Sequence, residues 1–220
     1  MTLNRVLSAL GLAATMLSAT VAQAAVTTYT DLAKWKVDVG TYQGTAVVPG
    51  FDFDNPTSVV LSGGSTLDAF SSPVQHLTVG STWLTWPHQP GSDGTTVFYS
   101  SGANSLSFDF SPGVVLAGVN RAERVDAFGF FVEPNPFGEF KITLDLSTGE
   151  SITQTVDGLG GAKFFGWAGG TVTGLTLSSE VDFAFGDFYE GSLVPIPEPG
   201  TYALFALGLG GLVLVRRRRT

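Results

Sequence analysis

The 220-residue sequence predicts a mainly β protein: a single jelly-roll-like antiparallel β-sandwich with one short N-terminal helix, bracketed by an N-terminal signal helix and a C-terminal transmembrane helix. Three observations predict it. Beyond Gly40, short runs rich in Val, Ile, Thr and Phe are cut by Gly, Pro and Ser clusters every 8 to 12 residues or so, the pattern of many short antiparallel strands. In the second half the runs alternate apolar with polar residues, so each strand has one core face and one wet face. No fixed-period repeat recurs, which disfavours a solenoid or propeller. An immunoglobulin-like arrangement of the same strands is the alternative.

Taken in order, Met1 to Ala24 reads as a signal peptide: Arg5 is basic, Val6 to Val21 is largely apolar, and Ala22-Gln23-Ala24 places small residues where a signal peptidase inspects them. Cleavage is expected after Ala24. Thr30 caps a helix with Leu32, Trp35 and Val39 on one side, ended by Gly40. Strands are expected near 46–53, 57–61, 74–79, 95–99, 105–110, 114–119, 125–132, 139–146, 151–156, 162–167, 171–178 and 181–189. Phe140, Ile142, Leu144 and Leu146 alternate with Lys141, Thr143 and Asp145, and Ser147-Thr148-Gly149-Glu150 turns that strand into a hairpin. The domain so defined covers residues 25–194.

Its composition narrows the function. Between residues 25 and 195 stand six basic side chains against eighteen acids, a formal charge of −12, which repels nucleic acid and anionic lipid. There is no cysteine, which removes thiol catalysis, thiolate metal sites and disulfides together. The fold must rest on its core, and sixteen of the chain's seventeen phenylalanines fall within the domain to supply one.

After the domain comes a three-part tail. Pro197-Glu198-Pro199 is followed by an uncharged apolar segment, with its spanning part at 201–215, and then by Arg216, Arg217, Arg218 and Arg219. The segment is short for a spanning helix, which needs roughly 20 residues. Gly208, Gly210 and Gly211 weaken it further, and the arginines stay cytoplasmic. Residues 195 to 220 resemble the PEP-CTERM sorting signal of Gram-negative bacteria that make exopolysaccharide, a tail also labelled ice-binding protein C-terminal domain. The resemblance implies recognition and removal by an exosortase, a membrane cysteine transpeptidase. It therefore implies transient anchoring in the inner membrane, followed by release to the cell surface or the biofilm matrix.

The interior resembles the mature domains common among PEP-CTERM proteins. The carrying stretches are Tyr29-Thr30-Asp31 through Trp35, Phe51-Asp52-Phe53-Asp54, Val125-Asp126-Ala127-Phe128-Gly129-Phe130, Phe164-Phe165-Gly166 and Phe185-Gly186-Asp187-Phe188-Tyr189. Such domains look like lectin-type jelly rolls, in which a structural calcium often joins the first and last strands. That implication makes Asp54 and Asp187 the candidate calcium pair; no EF-hand spacing supports one.

Chemistry is sparse. His76 and His88 are the only histidines and lie twelve apart, each without an acid nearby in sequence, so no Ser/His/Asp constellation is visible. Glu123, Glu133, Glu139 and Glu150 could be brought together by the fold as hydrolytic carboxylates, the alternative reading of a secreted polysaccharide or ester hydrolase. Gly158-Leu159-Gly160-Gly161 lacks Walker spacing. For sugar binding the candidates are Trp83 and Trp86, three apart beside Pro87, and Phe137 between Pro136 and Gly138. The favoured reading is a non-enzymatic surface protein that binds a glycan or another surface component.

Overall fold

The computed structural model describes residues 25–45, 51–87, 95–117 and 121–193. The signal segment with Ala22 and Ala24, the tail from Pro197 to Arg219, and His88 lie outside the described residues. Among the described residues, no helix is long and apolar enough to cross a membrane.

Fifteen strands and one helix are described. In chain order they are β1 Thr27–Tyr29, α1 Leu32–Val39, β2 Gly40–Thr45, β3 Ser58–Val60, β4 Thr66–Asp68, β5 Gln75–Thr78, β6 Thr96–Tyr99, β7 Ser105–Ser111 and β8 Val114–Ala117. They continue with β9 Arg121–Arg124, β10 Ala127–Pro134, β11 Glu139–Leu146, β12 Ser151–Asp157, β13 Lys163–Ala168, β14 Gly174–Ser179 and β15 Phe183–Leu193. One antiparallel sheet runs β1-β13-β10-β15-β6-β5, with β2 joining the far half of β15. The second runs β12-β11-β14-β7-β4-β3, and β8-β9 is a separate hairpin. The two sheets pack as a sandwich. Leu106, Phe108 and Phe110 of β7 and Ile142 and Leu144 of β11 meet Phe128 and Phe130 of β10, Phe165 and Trp167 of β13 and Phe185 and Phe188 of β15. Phe108 stacks on Phe185 with ring centroids 5.6 Å apart.

The two sheets differ in what covers them. Strands β11 and β12 are buried at alternate positions, so that sheet turns a hydroxyl and carboxylate face to water. The sheet containing β10 is covered on both sides: β10 is buried at all eight positions and β15 at ten of eleven. Its outer face carries α1 and the loop from Val79 to Pro87. Trp35 and Val39 enter a second core there with Trp83, Trp86, Phe131, Phe164 and Tyr189. The Trp35 indole donates to the Trp167 carbonyl at 3.0 Å and ties the helix to β13.

The structure moves several expected boundaries. Asp31, not Thr30, caps α1, its Oδ1 accepting the Lys34 N–H at 2.6 Å. Of the strand expected at 46–53, residues 46–50 lie outside the described residues and 51–54 form a turn, in which Asp54 accepts the Phe51 N–H. The strand expected at 125–132 is β10, shifted to Ala127–Pro134; β9 before it was not expected, and Asp126 ties the junction between them to the end of β15 by accepting the Leu193 N–H.

Candidate functional site

A fully covered strand ought to be apolar throughout, because burying a carboxylate is costly. Strand β10 breaks the rule at Glu133, which is wholly buried on the outer face of its sheet. The carboxylate is tolerated because three donors from two loops converge on it. Gly160 donates its N–H to Oε1 at 2.9 Å, the Trp83 indole reaches Oε2 at 3.4 Å, and the Thr85 hydroxyl adds a third. Burial still pushes the carboxyl above its ordinary range, helped by Asp157, and these donors pull it partly back.

Glu133 is thus a knot holding the Val79–Pro87 loop to the loop after β12. Two glycines make the crossing possible. A Cβ on Gly160, whose φ is 73°, would lie 2.9 Å from the Thr85 carbonyl oxygen, and one on Gly158 would lie 2.0 Å from that of Pro136. The Gly158 N–H also donates to the Gly138 carbonyl at 2.9 Å, which brings in the Pro134–Gly138 loop. That third loop is fixed from its other side by Asp182. The Asp182 carboxylate takes the Asn135 amide at 3.0 Å and the Tyr99 hydroxyl, and its backbone carbonyl takes the Asn135 N–H at 2.9 Å. Burial and this contact push the Tyr99 hydroxyl up to about 12.

The outcome is three loops locked at one end of the sandwich, each with an apolar side chain at its tip. Leu84 is 78% exposed, Phe137 71% and Leu159 64%. Large apolar groups displayed on rigid loops mark contact surfaces rather than core. Asn135, with its side-chain amide, is exposed on the same loop as Phe137.

The residues singled out from sequence fall as follows. Trp83 and Trp86 are both buried on the outer face of the β10 sheet. Each aims its indole N–H at a buried carboxylate, Trp83 at Glu133 and Trp86 at Asp187 at 2.8 Å. They lie in one loop and on one side of that sheet, beneath the displayed tips. Phe137 is displayed. Asp54 is exposed and closes its own turn, while Asp187 is buried beneath Trp86 with φ of 52°. Among the described residues no three His, Cys, Asp or Glu side chains group as metal ligands. His76 is buried against Phe98, its Nδ1 3.2 Å from the Phe51 carbonyl. Of the carboxylates considered for hydrolysis, Glu133 is committed to the knot and sealed from water, Glu139 is exposed, and Glu150 takes the Thr148 hydroxyl.

Sequence reading missed Leu84, Leu159 and the knot. One signal was present: Glu133 ends an otherwise apolar run from Ala127 to Val132, where an acid needs a buried partner. A second buried carboxylate, Glu190 on β15, follows the same logic. Burial raises it, and it accepts the Ser65 N–H at 3.0 Å, clamping the glycine-rich loop after β3.

The described residues form a β-sandwich of two antiparallel sheets, and no catalytic family is indicated. Residues 195–219 match the PEP-CTERM protein-sorting motif, so the chain carries an address for export and exosortase-type sorting. The motif implies transient membrane anchoring before surface or extracellular localisation. No curated protein matches the chain.

Proposed function

We propose that the chain is an exported cell-surface or matrix protein whose jelly-roll-like sandwich binds a neutral glycan, without catalysis, at the loop tips around Phe137. The carrying observation is the display of Phe137, Leu84 and Leu159 on three loops fixed from beneath by Glu133 and Asp182. Two further facts support it. The sorting motif implies export and exosortase-type sorting, and the acidic composition suits uncharged sugars better than polyanions. Signal peptide removal after Ala24 and exosortase processing near Pro197-Glu198-Pro199 complete the route.

A glycan array probed with the exported protein tests this reading. Binding to neutral β- or α-linked hexose oligomers that persists in chelator and is lost in Phe137→Ala is the expected result. Absence of binding to any glycan, or binding untouched by Phe137→Ala, overturns it. Intact-mass analysis of the exported protein should show loss of residues 1–24 and of the arginine cluster. A surface form retaining Arg216 to Arg219 contradicts the processing route.

A further inference from the structure

The chain leaves the fold at a fixed point. Leu193, the last residue of β15, pairs with Gly40 of β2 and donates its N–H to Asp126 Oδ1 at 2.6 Å, and the Asp126 N–H bonds the Gly191 carbonyl at 3.0 Å. Seven residues, 194–200, separate this exit from the apolar segment at 201–215, a tether that reaches at most about 28 Å when fully extended. A domain of this length is roughly 40 Å across. While the tail sits in the inner membrane, the tether is therefore too short for the opposite end of the sandwich to reach the lipid surface. That opposite end carries the Phe137 loop, because Pro134 pairs with Phe183 at the start of β15.

Beside the exit stands the β8–β9 hairpin, which lies outside both sheets and touches β2 and β15. Both arginines between residues 25 and 195, Arg121 and Arg124, fall on β9, and Arg124 is two residues from Asp126. Arg124 pairs in register with Val114. Arg124 is exposed and Val114 is 47% exposed, so a cation and an apolar side chain stand together uncovered. Two positions on in the same register come Leu116 and Ala122, whereas Glu123 falls at the alternate register, opposite the buried Val115. Two acids beside the hairpin are taken up within the fold: Asp126 accepts the Leu193 N–H, and Glu190 is wholly buried and accepts the Ser65 N–H. By contrast, Asp109, Glu139, Asp145 and Asp157 are exposed on strands of the other sheet.

We infer that, while the chain is anchored, the outer face of this hairpin rests on the headgroups of anionic phospholipid, with Arg124 on a phosphate and Val114 at the interface. An exposed apolar side chain beside a basic one suits the boundary between headgroups and hydrocarbon. The formal charge of −12 drives the domain as a whole from anionic lipid. With the tether holding the domain close, that repulsion turns the exposed acids outward and brings the arginine-bearing end to the surface. The Phe137 loops then face away from the membrane. This orientation rests on membrane residence of the tail, which the sorting motif implies, and not on the neutral-glycan reading.

The chain has no cysteine, so a single introduced one carries a fluorophore at one known place. Protein still bearing its tail is reconstituted in vesicles of phosphatidylcholine and phosphatidylglycerol that contain headgroup-spin-labelled lipid. The fluorophore sits on Val114→Cys or, for comparison, on Leu159→Cys, a 64% exposed position at the far loop tips. Emission from position 114 should be quenched and that from position 159 spared. Adding Arg124→Gln to the Val114→Cys protein should lower the ratio of docked to undocked protein by about fivefold, the scale of one basic side chain at an anionic surface. Vesicles of phosphatidylcholine alone should lower it as well. Arg124 is exposed, so the far-ultraviolet spectrum should stay unchanged. Equal quenching at the two positions, or quenching at 114 that is indifferent to both Arg124→Gln and phosphatidylglycerol, overturns the assignment. Release of the protein from the vesicles by alkaline carbonate overturns it through its premise, the anchored tail, and neither result bears on glycan binding.

Discussion

Replacing Glu133 by alanine probes the knot most directly. The Gly160 N–H, bonded at 2.9 Å, loses its acceptor in a buried place, which costs about 1–3 kcal/mol. The Trp83 indole, at the longer 3.4 Å, falls at the low end, about 1 kcal/mol. One buried methylene, Cγ, vanishes, at about 0.8 kcal/mol. Removing a carboxylate that burial disfavours offsets part of this, leaving a net loss of about 2–4 kcal/mol. Glu133→Gln keeps an acceptor for Gly160 but turns its NH2 toward Trp83, so it should lose only about 1 kcal/mol. Urea unfolding followed by tryptophan fluorescence measures both. A Glu133→Ala midpoint equivalent to less than about 0.5 kcal/mol from wild type would refute the knot, because that is the range of an uninvolved surface substitution.

Four further outcomes follow from the same contacts. Burial holds the Glu133 and Glu190 carboxyls above their unfolded value of about 4.3. The stability each contributes is therefore complete below about pH 4.3 and lost as pH rises through the folded pKa. The wild-type minus Glu133→Gln difference in unfolding free energy should fall as pH rises above about 4.3, and a flat difference would contradict the raised pKa. Asp31→Ala removes the α1 cap and should lower stability by about 1 kcal/mol, read as a drop in Tm. Gly160→Ala places a Cβ 2.9 Å from the Thr85 oxygen at positive φ. It should weaken glycan binding through the displaced loop tips while leaving the far-ultraviolet spectrum intact. Phe137→Ala, at a 71% exposed position, should shift the unfolding free energy by less than about 0.5 kcal/mol.

The legible parts of the fold were those where one face alone is buried. Alternation located β11 with both its ends and β12 to within a residue, because Ile142, Leu144 and Ile152 face one core and their neighbours face water. Trp35 and Val39, four apart, located α1 for the same reason, and its cap shifted by one because Thr30 and Asp31 can both accept a backbone N–H. Strands β1 and β4 were missed because neither carries an apolar run, whereas the equally short β3 sits in Val59-Val60-Leu61. Strand β2 was missed because Gly40 and Gly44 argue against a strand, and pairing along Phe188–Leu193 of β15 overrides that weak preference.

The site was legible only in part. Phe137 stands out in sequence because prolines on its loop forbid a central strand. The partners of Trp83 and Trp86 do not stand out, because Glu133 and Asp187 are 50 and 101 residues away and meet them only once the outer layer is assembled. Leu84 and Leu159 gave no signal, since exposed leucines are indistinguishable from core ones until the loops are placed.

Equilibrium binding of the exported protein to purified neutral exopolysaccharide, wild type beside Phe137→Ala, tests the central claim most directly. Saturable wild-type binding that weakens by at least about tenfold in Phe137→Ala, with urea stability unchanged, is the predicted result. Isotherms that coincide for the two proteins, or no binding by wild type, would contradict it.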